Sequence, residues 1–225
     1  MEPQDVAGQL SELAEEQEEL RAERQVERLA ERDKHARDER FRRRAALSIA
    51  FLAMLLAINS VGGENAGKEM VNRNIQASDT WAFFQAKNIR QTSFRLAAEQ
   101  LELLAPTLPP EQQPEARRRI DAYKATGARY ESEPDPDDPT NPLKGDGKKE
   151  LTARARDHEA KREHAQRQDP NFDYAGALFQ IAIVLGSVAV LSLSRIVLGL
   201  GLGLGAIATV LMLNGFLLWF DLPIG

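Results

Sequence analysis

Two histidines in the segment HEAKREH, His158 and His164, are the residues that most resemble a catalytic metal site. The zinc-protease motif needs two histidines four residues apart, so that both project from one face of a helix. Here the separation is six residues, which places the two side chains about 240° apart around a helix. The third histidine, His35, lies in a run of charged residues. We therefore predict no metal site.

No other segment has the pattern of an enzyme site. No glycine-rich loop follows a predicted strand, so the usual signature of nucleotide binding is missing. The chain has no cysteine, which removes thiolate nucleophiles, thiolate metal ligands and disulfides. We expect a protein that is not an enzyme and that uses no cofactor. An enzyme acting at a membrane surface is an alternative for which no candidate residue can be named.

Two polar side chains, Gln180 and Asn214, interrupt the apolar C-terminal part of the chain. They lie about 15 residues before and about 19 residues after Arg195, so on two helices that meet there their heights differ by roughly 6 Å. We expect a hydrogen bond between these helices, with pore lining as the alternative. Acidic side chains, lysine and histidine are missing from the apolar segments, which disfavours an ion-coupled transporter.

The segment LGLGLGLGA places glycine at every second position, at Gly199, Gly201, Gly203 and Gly205. Glycine inside a helix costs about 1 kcal/mol relative to alanine, so another interaction must offset it. Residues four apart share a helix face, so the glycines form two pairs that point about 200° apart. Small residues let helices approach closely in lipid. We expect one face to pack within the chain and the other against a neighbouring subunit.

These residues belong to long apolar segments, whereas the charges of the chain are concentrated elsewhere. Three segments are apolar enough to span a membrane: 45–61, 174–194 and 196–220. Arg195 is the one charged side chain between residues 174 and 220, which predicts a helical hairpin with this arginine in its turn. The expected fold is an all-α membrane protein with three transmembrane helices and long, coiled-coil-like helices outside the membrane.

Basic residues beside the spans predict the orientation of the chain. Arg42, Arg43 and Arg44 directly precede the first span, which places the N-terminus in the cytoplasm. Three spans then place Arg195 at the cytoplasmic surface and the tail, 221–225, on the other side. The same count puts segment 62–173 outside the cytoplasm.

Four helices are predicted outside the membrane, at 1–44, 67–105, 114–130 and 148–168. Residues 1–44 form a charged cytoplasmic helix, for which a coiled coil and a solvated single helix remain open. In the second helix apolar residues recur every seven positions, which is typical of a coiled coil. This heptad stripe consists of Ile75, Ala82, Ile89, Leu96 and Leu103.

Two further features lie in segment 62–173. Trp81, Phe83 and Phe84 form an aromatic cluster, which indicates either core packing or a docking patch for a partner. Residues 131–147 are rich in proline and aspartate and are expected to form a disordered loop.

Several of these segments resemble a known family. The segments WAFFQAKNIRQTSFRLAAEQLELL (81–104) and NFDYAGALFQIAIVLGSVAVLS (171–192), with the order span, polar region and hairpin, resemble the bacterial membrane family called domain of unknown function 4337. The resemblance implies a bacterial inner-membrane location and supplies no activity. The glycine pattern alone is also similar to the inner helix of rotary-ATPase rotor subunits, but the membrane carboxylate of those proteins is missing.

Taken together, the sequence predicts a non-enzymatic, multi-pass inner-membrane protein that associates with copies of itself. Its role would be a scaffold or an accessory subunit bound to other membrane proteins. An oligomeric passive channel or mechanosensitive pore is the alternative. The partners are then the lipid bilayer and protein subunits. Nucleic acid is not expected as a partner, because no basic stripe with interleaved aromatic residues is present.

Overall fold

A computed structural model describes the backbone of residues 3–222 and the side chains of residues 24, 27–29 and 31–222. This part of the chain is helical and contains no strand, which confirms the all-α class. A short 3₁₀ turn, Ala105–Thr107, follows the first helix. The helices are α1 (Pro3–Leu104), α2 (Gln113–Glu131), α3 (Lys148–Ser192) and α4 (Arg195–Leu217).

Three of these helices, α1, α3 and α4, contain a segment long and apolar enough to cross a membrane. The chain divides into two compact units, the first made of residues 1–59 and 174–211 and the second of residues 60–173 and 212–225. For the helix predicted at 1–44, the structure describes only the side chains of residues 24, 27–29 and 31–44, so the choice between a coiled coil and a solvated single helix lies outside the described residues.

The first unit packs its helices through small residues. Ala45, Ala182 and Ala208 are fully buried, and Phe179 is the largest fully buried side chain in this unit. A Cβ atom at Gly186 would lie 2.7 Å from Cγ1 of Ile49, so the backbone of α3 passes directly over α1. Small residues permit this close approach, which is the usual means of packing helices in lipid.

The second unit has a core of aromatic and aliphatic side chains. The ring of Phe94 on α1 lies 5.7 Å from the ring of Tyr123 and 5.9 Å from that of Tyr130, both on α2. Ile120 of α2 and Leu151 of α3 are also buried. Aromatic rings at these separations stabilise a core beyond the area that they bury.

Helix α1 continues past the predicted end of the first span at residue 61. The prediction of a second, separate helix that begins at residue 67 is therefore wrong. A Cβ atom at Gly62 would lie 2.6 Å from the ring of Phe172, and one at Gly63 would lie 3.1 Å from Cβ of Phe172. These glycines make room for a phenylalanine of α3 and do not end the helix.

Helix α3 likewise runs without a break through Pro170, although a charged helix ending near residue 168 was expected. Proline has no N–H group and leaves a carbonyl of the preceding turn without its helical partner. Close to this point, the side-chain amide of Asn171 donates a hydrogen bond to the carbonyl of Arg167 at 3.0 Å. Asn171 and Phe172 are both buried, and this packing holds the helix together around the proline.

The turn of the hairpin lies at Leu193 and Ser194, directly before the predicted position at Arg195. Arg195 is the first residue of α4. Leu193 takes a left-handed conformation, with φ of 50°. Ser194 accepts a hydrogen bond from the backbone N–H of Val197 at 3.4 Å, in the manner of an N-cap serine.

At its other end, α4 stops at Leu217 and not at residue 220. The side chain of Asn214 accepts a bond from the N–H of Phe220 and donates one to its carbonyl, which turns the chain away from the helix.

The loop between α2 and α3 has defined contacts that the predicted disorder did not anticipate. The buried carboxylate of Glu150 accepts bonds from the Ser132 hydroxyl at 2.7 Å and from the Glu133 N–H at 3.2 Å. The buried ammonium of Lys87 lies 3.0 Å from the Glu133 carboxylate. The loop is thus attached to both α1 and α3.

Candidate functional site

The heptad stripe lies on the exposed side of α1. Ile75, Ala82, Ile89, Leu96 and Leu103 are all exposed, with Ile89 at 67% and Leu103 at 79% of their maximum. Apolar side chains that recur every seven residues lie along one line of a helix. The second unit therefore carries a row of four large aliphatic side chains and one alanine that its own helices leave exposed.

A different face of α1 makes the contacts inside the second unit. This inner face includes the buried residues Lys87 and Ala98, together with Gln91 and Phe94, which contact α2. The spacing of these residues is also three and four, as expected for a helix packed along its length. Segment 75–103 thus has two faces, one polar and aromatic and one aliphatic. The polar and aromatic face makes the contacts inside the unit.

The aromatic cluster is divided between these two environments. The indole N–H of Trp81 donates to Glu159 of α3 at 2.8 Å, and its ring lies 5.5 Å from that of Phe84. The Lys148 ammonium lies 5.8 Å from the Phe84 ring, within the range of a cation–π contact. Phe83 is 39% exposed. The structure therefore does not bring the three rings together in one exposed patch.

The two glycine pairs of α4 also have different environments. A Cβ atom at Gly201 would lie 3.1 Å from the Ala182 carbonyl oxygen, and one at Gly205 would lie 2.5 Å from Leu52. At Gly199 and Gly203 a Cβ atom would meet nothing within 4 Å. One pair packs inside the first unit, whereas the other faces outward among exposed apolar side chains.

The two polar side chains of the apolar segments do not form the predicted pair. The Asn214 side chain is fully buried and donates to Asn171 at 2.7 Å and to the carbonyl of Phe220 at 2.9 Å. Gln180 is exposed. Asn171 lies just outside the predicted span, so the polar residues within the spans do not include the partner of Asn214. The hydrogen bonds of Asn214 favour a structural role over pore lining.

The arginines that predicted the orientation divide into two groups. Arg44 of α1 and Arg195 of α4 line a common cavity of about 550 Å³ in the first unit. Arg42 and Arg43 do not line it, although all four arginines are exposed. Within the described residues, no group of three or more His, Asp or Glu side chains is placed to hold a metal ion.

His158 has a structural contact across the second unit. Arg73 donates from Nη1 to Nδ1 of His158 at 3.3 Å. Burial and the positive charge of Arg73 lower the pKa of His158 below the 6.5 of a free histidine, and Lys161 and Arg154 act in the same direction. Asp157 partly opposes them.

The lowered pKa of His158 predicts an acid-sensitive second unit. Because the folded pKa lies below the unfolded one, the unfolded chain binds the proton more tightly. The free energy of unfolding should fall as the pH drops below about 6.5. Denaturant unfolding across this range measures the effect, and His158→Gln should reduce it. An equal pH dependence in both proteins would show that His158 does not contribute.

Comparison with known proteins gives a family and no activity. The sequence model of the family described as domain of unknown function DUF4337 matches residues 41–218, which is more than half of the chain. Neither the curated proteins nor the solved structures gave a match. The matched range contains the heptad stripe, the four glycines and the buried Asn214. The match confirms the resemblance, and the chain belongs to the DUF4337 family.

Proposed function

We propose that this protein is a non-enzymatic membrane scaffold that assembles with copies of itself. The exposed heptad stripe of α1 is the observation that carries the proposal. A scaffold or accessory subunit needs interaction surfaces and no reactive site. The bacterial inner membrane, with the N-terminus in the cytoplasm, is the proposed location.

The composition of the stripe favours a second copy as its occupant. Ala86 and Ser93 continue the stripe with the alternating spacing of four and three that characterises coiled-coil cores. From Ala86 to Leu96 small and large side chains therefore alternate, and two such segments can interdigitate. Burying one isoleucine or leucine contributes about 1.5–3 kcal/mol, so a few of them suffice for stable association.

Charge also favours self-association through this face. None of the five stripe residues is charged, and neither are Ala86 and Ser93. The charged residues Arg90, Arg95 and Glu99 lie beside the row, whereas Asp79, four residues after Ile75, lies in it. Two copies can therefore meet from Ala82 to Leu103 without burying like charges, which would be costly.

The membrane location is supported by the apolar segments of α1, α3 and α4 and by the arginines. Arg44 and Arg195, which are 151 positions apart in the sequence, line one cavity. This proximity supports the proposed topology, in which both lie at the cytoplasmic surface. The outward pair Gly199 and Gly203 offers a second contact face of the kind used between membrane helices.

Cysteine cross-linking in intact membranes tests the proposal, because the chain has no cysteine of its own. Ile89→Cys should form disulfide-linked dimers on mild oxidation. Asn88→Cys, at an exposed position about 100° from Ile89 around the helix and off the row, is the matched control and should remain monomeric. If both variants cross-link equally or neither does, the stripe is not the interface.

Two further positions distinguish the orientation of the paired helices. Ile75→Cys and Leu103→Cys lie at the two ends of the stripe, and Ile89 lies at its centre. A parallel pair brings each residue next to its own copy, so all three variants should cross-link. An antiparallel pair centred on Ile89 allows cross-linking at the centre only.

A further inference from the structure

The cavity of the first unit that contains Arg195 has a strongly basic wall. It is lined by Arg37, Arg40, Phe41 and Arg44 of α1 and by Arg195 and Leu198 of α4, and its volume is about 550 Å³. Four of these six residues are arginines, and no acidic side chain lines the cavity. A cavity of this size accommodates a small anionic group and part of a larger molecule.

These arginines have no ionic partner in the described part of the chain. None of the ion pairs among the described residues, from Lys68–Glu64 to Arg167–Asp221, involves an arginine of this cavity. Arg40 donates its Nε to the Ala36 carbonyl at 3.0 Å, which leaves its two terminal nitrogens for another acceptor. Like charges around one cavity repel each other, so an anion bound there removes an unfavourable interaction.

Arginine favours one class of anion in particular. Its planar guanidinium presents parallel N–H groups that match two oxygens of a phosphate, and the resulting bonds are charge-assisted. Several arginines directed at one cavity can contact different oxygens of the same phosphate. The chemistry of the wall therefore selects a phosphate group over a single carboxylate.

The apolar residues of the wall indicate what the phosphate is attached to. Phe41 and Leu198 give the cavity an apolar side, and the apolar segment of α1 begins at Ala45, directly after Arg44. Helix α4 is apolar after Arg195. The arginines thus lie next to apolar segments of the protein, in the same way that a charged lipid headgroup lies next to its acyl chains. Basic pockets between membrane helices are typical sites for anionic headgroups.

We propose that this cavity binds the phosphate headgroup of an anionic phospholipid. Arg40, Arg44 and Arg195 hold the phosphate, and Phe41 and Leu198 contact the first methylene groups of the lipid. The proposal rests on the membrane location given above and does not depend on self-association. A bound lipid would link α1 to the start of α4 within the first unit.

Native mass spectrometry of the full chain in detergent tests this site with phosphatidylglycerol and phosphatidylcholine as probes. Arg40→Gln/Arg195→Gln removes two charges from the wall, and Arg42→Gln/Arg43→Gln removes two charges beside it. The first variant should bind phosphatidylglycerol at least about tenfold more weakly than the wild type, because charge-assisted bonds are lost. The second should lose less than about threefold, because Arg42 and Arg43 do not line the cavity and act only through screened long-range attraction.

Three results would overturn the proposal. Equal losses in the two variants would mean diffuse attraction without a site. Equal binding of phosphatidylcholine would remove the selectivity for anionic lipid. Displacement of phosphatidylglycerol by an equal concentration of inorganic phosphate would assign the cavity to a soluble phosphate. Binding is scored on monomer and oligomer peaks separately, so a failure of self-association leaves this test intact. Recovery of the chain without detergent would instead contradict the membrane location.

Discussion

Gly147→Ala is expected to lower the free energy of unfolding of the second unit by roughly 3 kcal/mol. A Cβ atom at this position would collide with the Glu133 backbone nitrogen and the Glu150 carboxylate, and would lie 2.6 Å from Cα of Ser132. The Glu150 carboxylate is the group that holds the start of the loop. The substitution therefore breaks buried, charged hydrogen bonds as well as overfilling the space.

A second glycine of the same loop, Gly145, should also be sensitive to substitution by alanine, and Gly127 of the same unit serves as the control. Gly145 has φ of 92°, a conformation that alanine adopts only with strain, so Gly145→Ala should also destabilise. Gly127 lies inside α2 with nothing within 4 Å of its missing Cβ. Gly127→Ala should therefore stabilise by up to about 1 kcal/mol.

Hydrogen exchange read by mass spectrometry, together with thermal unfolding, measures these effects. Gly147→Ala should increase exchange in segment 132–147 and lower the melting temperature, and Gly127→Ala should do neither. Unchanged exchange in this segment for Gly147→Ala would contradict the anchored loop.

Gly201→Leu is expected to destabilise the first unit by roughly 2–3 kcal/mol, the usual cost of overfilling a packed interior. A Cβ atom alone would lie 3.1 Å from the carbonyl oxygen of Ala182 and 3.3 Å from Cβ of Leu185. The remaining three carbons of leucine have no space between α3 and α4. The helices must separate or the hairpin must rearrange.

Gly203→Leu is the control for this prediction, since it adds the same side chain two residues later. Nothing lies within 4 Å of its missing Cβ, so the unfolding free energy should not fall. If this outward face contacts another copy, Gly203→Leu should reduce oligomeric order without loss of fold. Thermal unfolding in detergent and native mass spectrometry separate the two effects. Equal destabilisation by both substitutions would contradict the different environments of the two glycines.

Periodicity and composition were sufficient to predict the long helices and the two glycine pairs. Apolar runs identify three candidate spans because few charges interrupt them, and the spacing of four places Gly201 with Gly205. The predicted helix 114–130, the predicted helix end at 105 and the predicted helix start at 148 agree with the structure to within one residue. The breaks predicted after the first span and after residue 168 are wrong. Gly62, Gly63 and Pro170 are typical helix breakers, but buried Phe172 and Asn171 hold the helices together around them. Such tertiary contacts override the local helix propensity and are not visible in the sequence around the glycines and the proline.

The contacts of the functional surfaces were harder to predict than the surfaces themselves. The heptad of Ile75 to Leu103 is visible in the sequence, but its exposure depends on which face of α1 packs inside the unit. The polar inner face includes Lys87, whose burial depends on Glu133 and on nearby rings of Phe83 and Tyr130. The approach of Arg44 to Arg195 links distant parts of the sequence, so no local pattern indicates it.

Native mass spectrometry of the wild type and of Ile89→Asp, gently extracted from their own membrane, tests the central claim most directly. The wild type should appear as one homo-oligomer of fixed copy number. Ile89→Asp, which places a charge in the stripe, should raise the dissociation constant at least about 100-fold and give smaller species. Asn88→Asp, with the same added charge at an exposed position off the stripe, should leave the oligomer intact. A monomeric wild type, or an oligomer that survives Ile89→Asp unchanged, would contradict self-association through α1.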